Sequence, residues 1–455
     1  MRFFGGFLRF SQANPPGRSP VADDYALQRV PPSARYPWWS VAVQRFGQVS
    51  ALTQFMLGAT LGFSLTFWQA FWALTFGAAI LEFAMILVGI IGMREGLSTS
   101  MLARWTGFGR GGSAVIGLAI GVSLVGWFGI QSGVSARGLH ALIGGPPEWV
   151  WAVLFGLAVT AIVIAGFASM AWTAYVTVPL FLVLVAWSII SELSSHSLSA
   201  LVASAPPGPP MSVAQGTALV AGSLMVGAVI TSDMTRFNRS AADVVKQTVL
   251  GVTLGEYVIG LAGVLLAHAV GSSDVIAIVT SSVGLVGTLV IVAGTLKIND
   301  WNLYSSGLGL VTFIGVLTGR RPGRVAITAV VGVAGTLLAA FGILDLFTDF
   351  LVLLGVVFPP IAGIMIAEYL VVRRWHGELA ATRDSGAPPP SAPLWVPATL
   401  GVWLGATLVG QFVTAGLGSV NALVTAFVLY AVLGKAGLVR GVGSSRTEET
   451  REVVA

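Results

Sequence analysis

The sequence predicts an all-α integral membrane protein with twelve transmembrane helices. Two observations carry that prediction. First, the chain is 55% hydrophobic and only 9% charged over 455 residues. Its mean hydropathy is +0.86, which excludes a soluble globular protein. Second, 22 of its 24 Lys and Arg residues fall in alternate segments between apolar stretches. Cytoplasmic loops of membrane proteins collect Lys and Arg. Both termini are therefore expected in the cytoplasm, with the chain crossing the cell (inner) membrane many times.

A bilayer core of about 30 Å takes about 20 apolar residues of helix. Stretches of that kind lie near 46–66, 70–93, 113–135, 149–169, 172–190, 213–232, 247–270, 276–303, 325–344, 350–372, 394–414 and 417–434. Residues 46–93 hold one charge, Glu82. They are too many for one helix, so a tight turn near Thr66 to Gln69 must divide them. The basic segments start with Arg2, Arg9, Arg18, Arg29, Arg35 and Arg45, then Arg94, Arg104 and Arg110, then Arg236, Arg239 and Lys246. Arg320, Arg321 and Arg324 follow, then Arg373, Arg374 and Arg383, and finally Lys435, Arg440, Arg446 and Arg451. The opposite loops carry Arg137 alone, and Lys297 lies inside an apolar stretch.

This divides the chain into an N-terminal tail (1–43), a ten-helix core (44–374), a loop (375–393), two further helices (394–435) and a C-terminal tail (436–455). The core splits into halves of about 44–190 and 212–374. Pro15, Pro16, Pro20, Pro31 and Pro32 discourage helix in the first tail, and both tails are expected to be flexible. The loop 191–212 is rich in Ser, Ala and Pro, and Pro388 to Pro390 suit a mobile loop.

Several function classes drop out. The net charge of +5 is accounted for by the sorted cations and does not suggest nucleic acid. With no cysteine, disulfides and thiolate metal sites are impossible. The first apolar span follows about 45 polar, Arg-containing residues, unlike a cleaved signal peptide. There is no GxxxxGK[ST] loop, no HExxH and no GxSxG elbow on a strand, and the four His are scattered. No enzyme, metal site or cofactor is expected, nor is an obligatory protein partner evident. A bundle with few buried polar groups suits a secondary transporter working by alternating access. The rivals are a channel and a membrane sensor, although neither a pore-lining repeat nor a large regulatory domain is visible.

Secondary transporters often bind substrate where helices break at matching positions of two repeats. Met56 to Ser64 of the first span holds Gly58, Gly62 and hydroxyls. Ala221 to Ala228 of the sixth holds Gly222, Gly227 and Ser223. Five spans separate them, as a five-plus-five inverted repeat requires. The competing reading is that these glycines only let helices pack closely.

Further stretches carry a resemblance. They are Asp24-Tyr25-Ala26-Leu27 with Val30-Pro31, and Gly96-Leu97-Ser98-Thr99 through Leu102-Ala103-Arg104 to Gly107-Phe108-Gly109. Then come Val125-Gly126-Trp127-Phe128-Gly129, Thr231-Ser232-Asp233 with Arg236-Phe237, and Asn299-Asp300 with Leu303-Tyr304 and Ser306-Gly307. Pro359-Pro360, Gly363 and Ala367-Glu368-Tyr369 complete the set. In this order they resemble the nucleobase:cation symporter family, which includes purine–cytosine permeases and a hydantoin transporter. The resemblance implies the leucine-transporter fold: a 5+5 inverted repeat plus two C-terminal helices. It also implies import of a planar nucleobase, with an allantoin- or hydantoin-type carrier as the alternative.

The resemblance assigns site residues. Trp127 matches the family's substrate-stacking tryptophan, and an indole face suits a heteroaromatic base. Gln131, one turn later on the same face, can donate to and accept from a base edge, or bond another helix. Ser223 to Gly227 match the broken sixth helix. Leu224 stands where many cytosine permeases carry an aromatic residue, which leaves Met225 or Phe63 to close the pocket. Asn299 matches a family amide at the substrate, or else caps a helix end.

In sodium-coupled members, carbonyls of the first-span break and hydroxyls of the eighth span hold the ion. The matching positions are Gly58 and Leu61, with Lys297 and Ile298. A lysine there removes oxygen ligands and adds a repelling charge, so proton coupling is expected rather than sodium coupling. The competing reading is a Lys297 that snorkels to the interface. Glu82 and Glu256 are intramembrane charges, which tend to be paired or functional; either is a candidate partner for Lys297. Glu368 lies near a span end, facing water or loop arginines.

Overall fold

The computed structural model describes residues 25, 27–165, 179–180, 183–184, 186–191, 194–320 and 322–446. Arg2, Arg9, Arg18, Arg321, Arg451 and most of the fifth span lie outside them. Among the described residues, five helices are long and apolar enough to cross a membrane by length and composition: Phe67–Glu95, Gly109–Ile143, Ala241–Val270, Ile343–Val372 and Gly418–Lys435.

The first span is two helices, Trp38–Val49 and Leu52–Ser64. They are separated at Ser50 and Ala51, where Ala51 is extended at φ −124° and ψ 165°. The break therefore falls before Gly58, not at it. Leu52–Ser64 runs unbroken through Gly58 and Gly62 because those glycines serve packing. A Cβ on Gly58 would collide with the backbone of Gly260, and one on Gly62 with the backbone of Val264. This small-xxx-small stripe lets the first and seventh helices touch backbone to backbone. The turn after it is where the sequence placed it. Thr66 caps Phe67–Glu95 in a reciprocal pair with Gln69, satisfying two otherwise orphaned groups.

The sixth span does break inside its glycine segment. Val213–Ser223 ends at Leu224, and Met225–Val229 resumes beyond it. Gly222 is required there because a Cβ would strike the carbonyl of Leu351. The seventh helix widens into a π turn over Glu256–Gly260. The eighth differs from the expected 276–303: Val275–Val283 is a separate short helix, and Leu285–Thr318 is the long one. Gly284, at φ 76°, makes the turn between them, since only glycine takes that backbone without strain. Asn299 and Lys297 consequently sit near mid-helix, not near its end. The tenth span bends at Phe358, ahead of Pro359 and Pro360, where proline cannot continue the ladder.

The described parts of the tails and the 375–393 loop hold more order than expected. Arg29 donates to Glu95 at 2.8 Å, and Arg383 reaches the same buried carboxylate at 2.5 Å. Tyr369 donates to it as well, at 2.5 Å. The Glu95 hydrogen bond holds the Arg383 guanidinium above its ordinary pKa. Glu368 does not face water: it accepts from the Arg374 N–H at 2.6 Å and the Tyr430 hydroxyl at 3.0 Å. His376–Ala381 is helical. Ser391–Trp395 pairs antiparallel with Val442–Arg446, so the C-terminal segment is tied down as far as Arg446. The sequence missed this because these contacts join residues far apart in the chain.

Candidate substrate site

A cavity of about 480 Å3 lies where both broken helices meet the third and eighth. Ser50, Ala51, Leu52 and Thr53 line it from the first-span break, and Ser223, Leu224 and Gly227 from the sixth. The third helix contributes Trp127 and Gln131, and the eighth Lys297, Ile298, Trp301 and Asn302. Broken helices leave backbone groups without intrahelical partners, so this wall can offer them to a ligand.

Trp127 is held from behind. The Phe350 ring stands 5.1 Å from the indole at 87°, and the Phe347 ring 6.3 Å away at 65°. Gly126 makes room, since a Cβ there would press on Phe350. Gln131 is 3% exposed, and its side-chain carbonyl oxygen is buried without a partner. An unpaired buried acceptor costs about 1–3 kcal/mol, so a donor arriving in the cavity would be well received. The Ser223 hydroxyl donates to the Val220 carbonyl at 2.7 Å, which orients it within its own helix.

The remaining residues separate. Asn299 is fully buried away from the cavity. It donates to the Phe128 carbonyl at 3.1 Å and the Ser132 hydroxyl at 3.0 Å. It also accepts from Asn302 at 3.2 Å, and Asn302 is the amide that faces the cavity. Neither Met225 nor Phe63 lines the cavity: Met225 is fully buried in the core, and Phe63 packs against Gly208. Gly294, Lys297, Ile298, Trp301 and Asn302 share one helical face at spacings of three and one. That periodicity was available in the sequence, since all five lie within the expected span 276–303. Nothing comparable marked Ser50 and Ala51, because that break carries no glycine or proline.

Lys297 does not reach Gly58 or Leu61, which lie outside the cavity among helix contacts. Its ammonium donates to both oxygens of Asp300, at 3.1 and 3.2 Å. Glu82 and Glu256 are not its partners. Glu82 accepts from Thr253 at 2.6 Å, and Glu256 accepts from Gln54. Among the described residues, no group of three or more His, Asp or Glu could hold a metal ion.

A second cavity, of about 240 Å3, lies beyond Trp127 and is lined by Met56, Thr60, Phe347 and Arg137. Arg137 bridges three segments there. It reaches Asp274 at 2.8 Å, Asp345 at 3.3 Å and Glu148 at 3.5 Å. Phe347 lines this cavity and Trp127 the first, with their ring centroids 6.3 Å apart.

Comparison with known proteins supplies the context. Residues 30–391 match a family described as permeases for cytosine/purines, uracil, thiamine and allantoin. The cytosine permease of Escherichia coli strain K12 is 29% identical over 365 residues, covering 79% of this chain and 84% of that one. Mhp1 in an inward-facing conformation superposes with a TM-score of 0.76 at 20% identity, covering 94% of this chain and 99% of Mhp1. Mhp1 in a closed conformation with bromovinylhydantoin bound, described as a nucleobase-cation-symport-1 family transporter, gives 0.70 at 20% identity over 91% and 95%. A Na+-coupled sialic acid symporter gives 0.61 at 13% identity, with 94% of each chain covered. The helices are therefore arranged as in Mhp1, and the protein is a multi-pass membrane transporter, not an enzyme. The chain belongs to the nucleobase:cation symporter family of secondary transporters.

Proposed function

We propose that this transporter imports a planar nucleobase, a purine, cytosine or related heterocycle, by alternating access. The observation that carries the reading is the cavity itself. It joins an aromatic face, Trp127, to an unpaired buried acceptor, Gln131, at the meeting point of two broken helices. A heteroaromatic ring with an N–H edge satisfies both features together. Asn302 and the Ser223–Gly227 break stand ready to read the other edges, while Asn299 positions Asn302.

A hydantoin- or allantoin-type substrate is the second reading, favoured by Leu224. It gives the cavity an aliphatic wall where many cytosine permeases carry an aromatic residue. The ring layer of Trp127 and Phe347, with Arg137 bridging beyond it, supports a state closed on the Arg137 side. The cavity would then open toward the basic loops, which the positive-inside pattern puts in the cytoplasm.

Proton coupling is favoured over sodium coupling. Lys297 lines the cavity of the first-span break, and its ammonium occupies the Asp300 carboxylate that a sodium ion beside it would need as a ligand. The test is uptake of labelled nucleobases into vesicles, with unlabelled purines, pyrimidines and hydantoins as competitors, at two pH values and with or without sodium. Competition by nucleobases with stimulation by an inward proton gradient is expected. Competition by hydantoins alone would favour the second reading, and conduction without saturation would indicate a channel.

A further inference from the structure

Glu256 is fully buried at the start of the π turn in the seventh helix. One carboxylate oxygen, Oε2, accepts a hydrogen bond from Nε2 of Gln54. The two atoms left over, Glu256 Oε1 and Gln54 Oε1, are both buried and both without a partner. If Glu256 is ionised, both are acceptors, and neither can satisfy the other. A single proton on Glu256 changes this. A carboxylic acid and a carboxamide can exchange two antiparallel hydrogen bonds, the amide N–H to the acid and the acid O–H to the amide. One proton thus removes two unsatisfied acceptors and one buried charge, each costly at this depth.

The charged and titratable groups facing Glu256 do not favour its anion. The second span presents another carboxylate, Glu82, bound to Thr253 one turn before Glu256. Tyr257 turns its hydroxyl to Thr75 at 2.8 Å. Leu52–Ser64 carries no titratable side chain. From Trp38–Val49, Arg45 packs against Gly251. Its guanidinium donates to Thr231 at 2.7 Å and Gln48 at 3.1 Å, and it makes no ion pair among the described residues.

The position matters for transport. Gln54 follows Thr53, the last residue of the first-span break to line the substrate cavity. Beyond Gln54, the half-helix is clamped to the seventh helix through Gly58 and Gly62. The Gln54–Glu256 pair is thus the junction between the reshaping break and its fixed support.

We propose that Glu256 is the proton-binding site of the transport cycle, taking its proton from water on the outside and releasing it to water on the cytoplasmic side. Protonated, it locks Gln54 by two hydrogen bonds. When the proton leaves, an anion and a carbonyl oxygen face each other and the lock on the first-span break weakens. This rests on the proton-coupled reading above.

The test compares the native protein with Glu256→Gln and Glu82→Gln in proteoliposomes. Two assays are run: uptake driven by an inward proton gradient, and exchange of labelled for unlabelled base at equal pH. Glu256→Gln should still exchange but should no longer accumulate base above equilibrium, while Glu82→Gln keeps gradient-driven uptake. Accumulation by Glu256→Gln with native pH dependence overturns the proposal. If the native protein ignores the proton gradient, the coupling reading fails. Infrared spectra then decide separately whether Glu256 holds a proton. A carboxylic-acid carbonyl band should be present in the native protein and shifted in Gln54→Met, which leaves Glu256 in place. A band absent, or unshifted by that change, overturns the pairing whether or not Glu256→Gln folds.

Discussion

Phe350 stands edge-on to Trp127, with centroids 5.1 Å apart and planes at 87°. The indole that lines the cavity is thereby held before any substrate arrives. Stacking of a base on an aromatic ring contributes about 1–3 kcal/mol. Trp127→Ala should weaken binding about 10- to 100-fold without loss of membrane insertion, and Trp127→Phe should be milder. Phe350→Ala should fall between them, since an edge-to-face pair contributes about 0.5–1.5 kcal/mol. Titration of purified protein with labelled base measures all three; unchanged affinity in Trp127→Ala would remove it from the site.

Gln131 and Asn302 differ from Asn299 in what they face. Replacing either of the first two with Ala should change the ranking of competing bases in an uptake panel. Asn299→Ala should instead lower thermal stability, by about 1–3 kcal/mol for the partners it strands. A ranking left intact in well-expressed Gln131→Ala and Asn302→Ala would assign those amides to packing.

Lys297 and Asp300 form a pair on one helix, with Asp300 only 1% exposed. Removing one partner of a buried pair costs up to about 3–5 kcal/mol, and less here because Lys297 opens onto the cavity. Asp300→Asn should therefore destabilise the protein, and Lys297→Met with Asp300→Asn should recover part of the loss. Uptake by the native protein should be indifferent to sodium. Sodium-stimulated uptake would show that the Lys297 ammonium does not exclude the ion.

Arg137 ties together Asp274, Asp345 and Glu148 at the end away from the basic loops. Exposed pairs of this kind contribute about 0.2–1 kcal/mol each, enough together to bias an opening. Arg137→Ala should raise amide hydrogen exchange around residues 273–276 and 344–348. Exchange identical to the native protein there would make the cluster incidental.

Glu95 gathers Arg29, Arg383 and Tyr369. Glu95→Gln should release residues 27–36 and 376–395, seen as faster proteolysis at the basic end with transport affinity unchanged. If both segments stay protected, the backbone bonds of Val30 to Gly96 and Tyr36 to Phe237 and the strand pairing at Ser391–Trp395 hold them without the carboxylate.

Hydrophobic runs, sorted cations and local motifs are properties of the sequence itself. They determined the membrane class, the Thr66 turn, the break in the sixth span and the family. Trp127, Gln131, Ser223, Leu224 and Gly227, grouped by those motifs, line one cavity. Tertiary structure decided the rest, because it depends on which faces meet. Gly58 and Gly62 read as a break from composition, yet the seventh helix uses them for close approach, and the break moved to Ser50 and Ala51. Asn299 and Asn302 are chemically alike, and only the rotation of Leu285–Thr318 against the third helix turns one inward and the other to the cavity. Lys297 had two acidic candidates within the membrane, Glu82 and Glu256, and geometry gave it Asp300 instead, one turn away. Glu256 went to Gln54, a pairing across 202 positions of chain that no local pattern encodes.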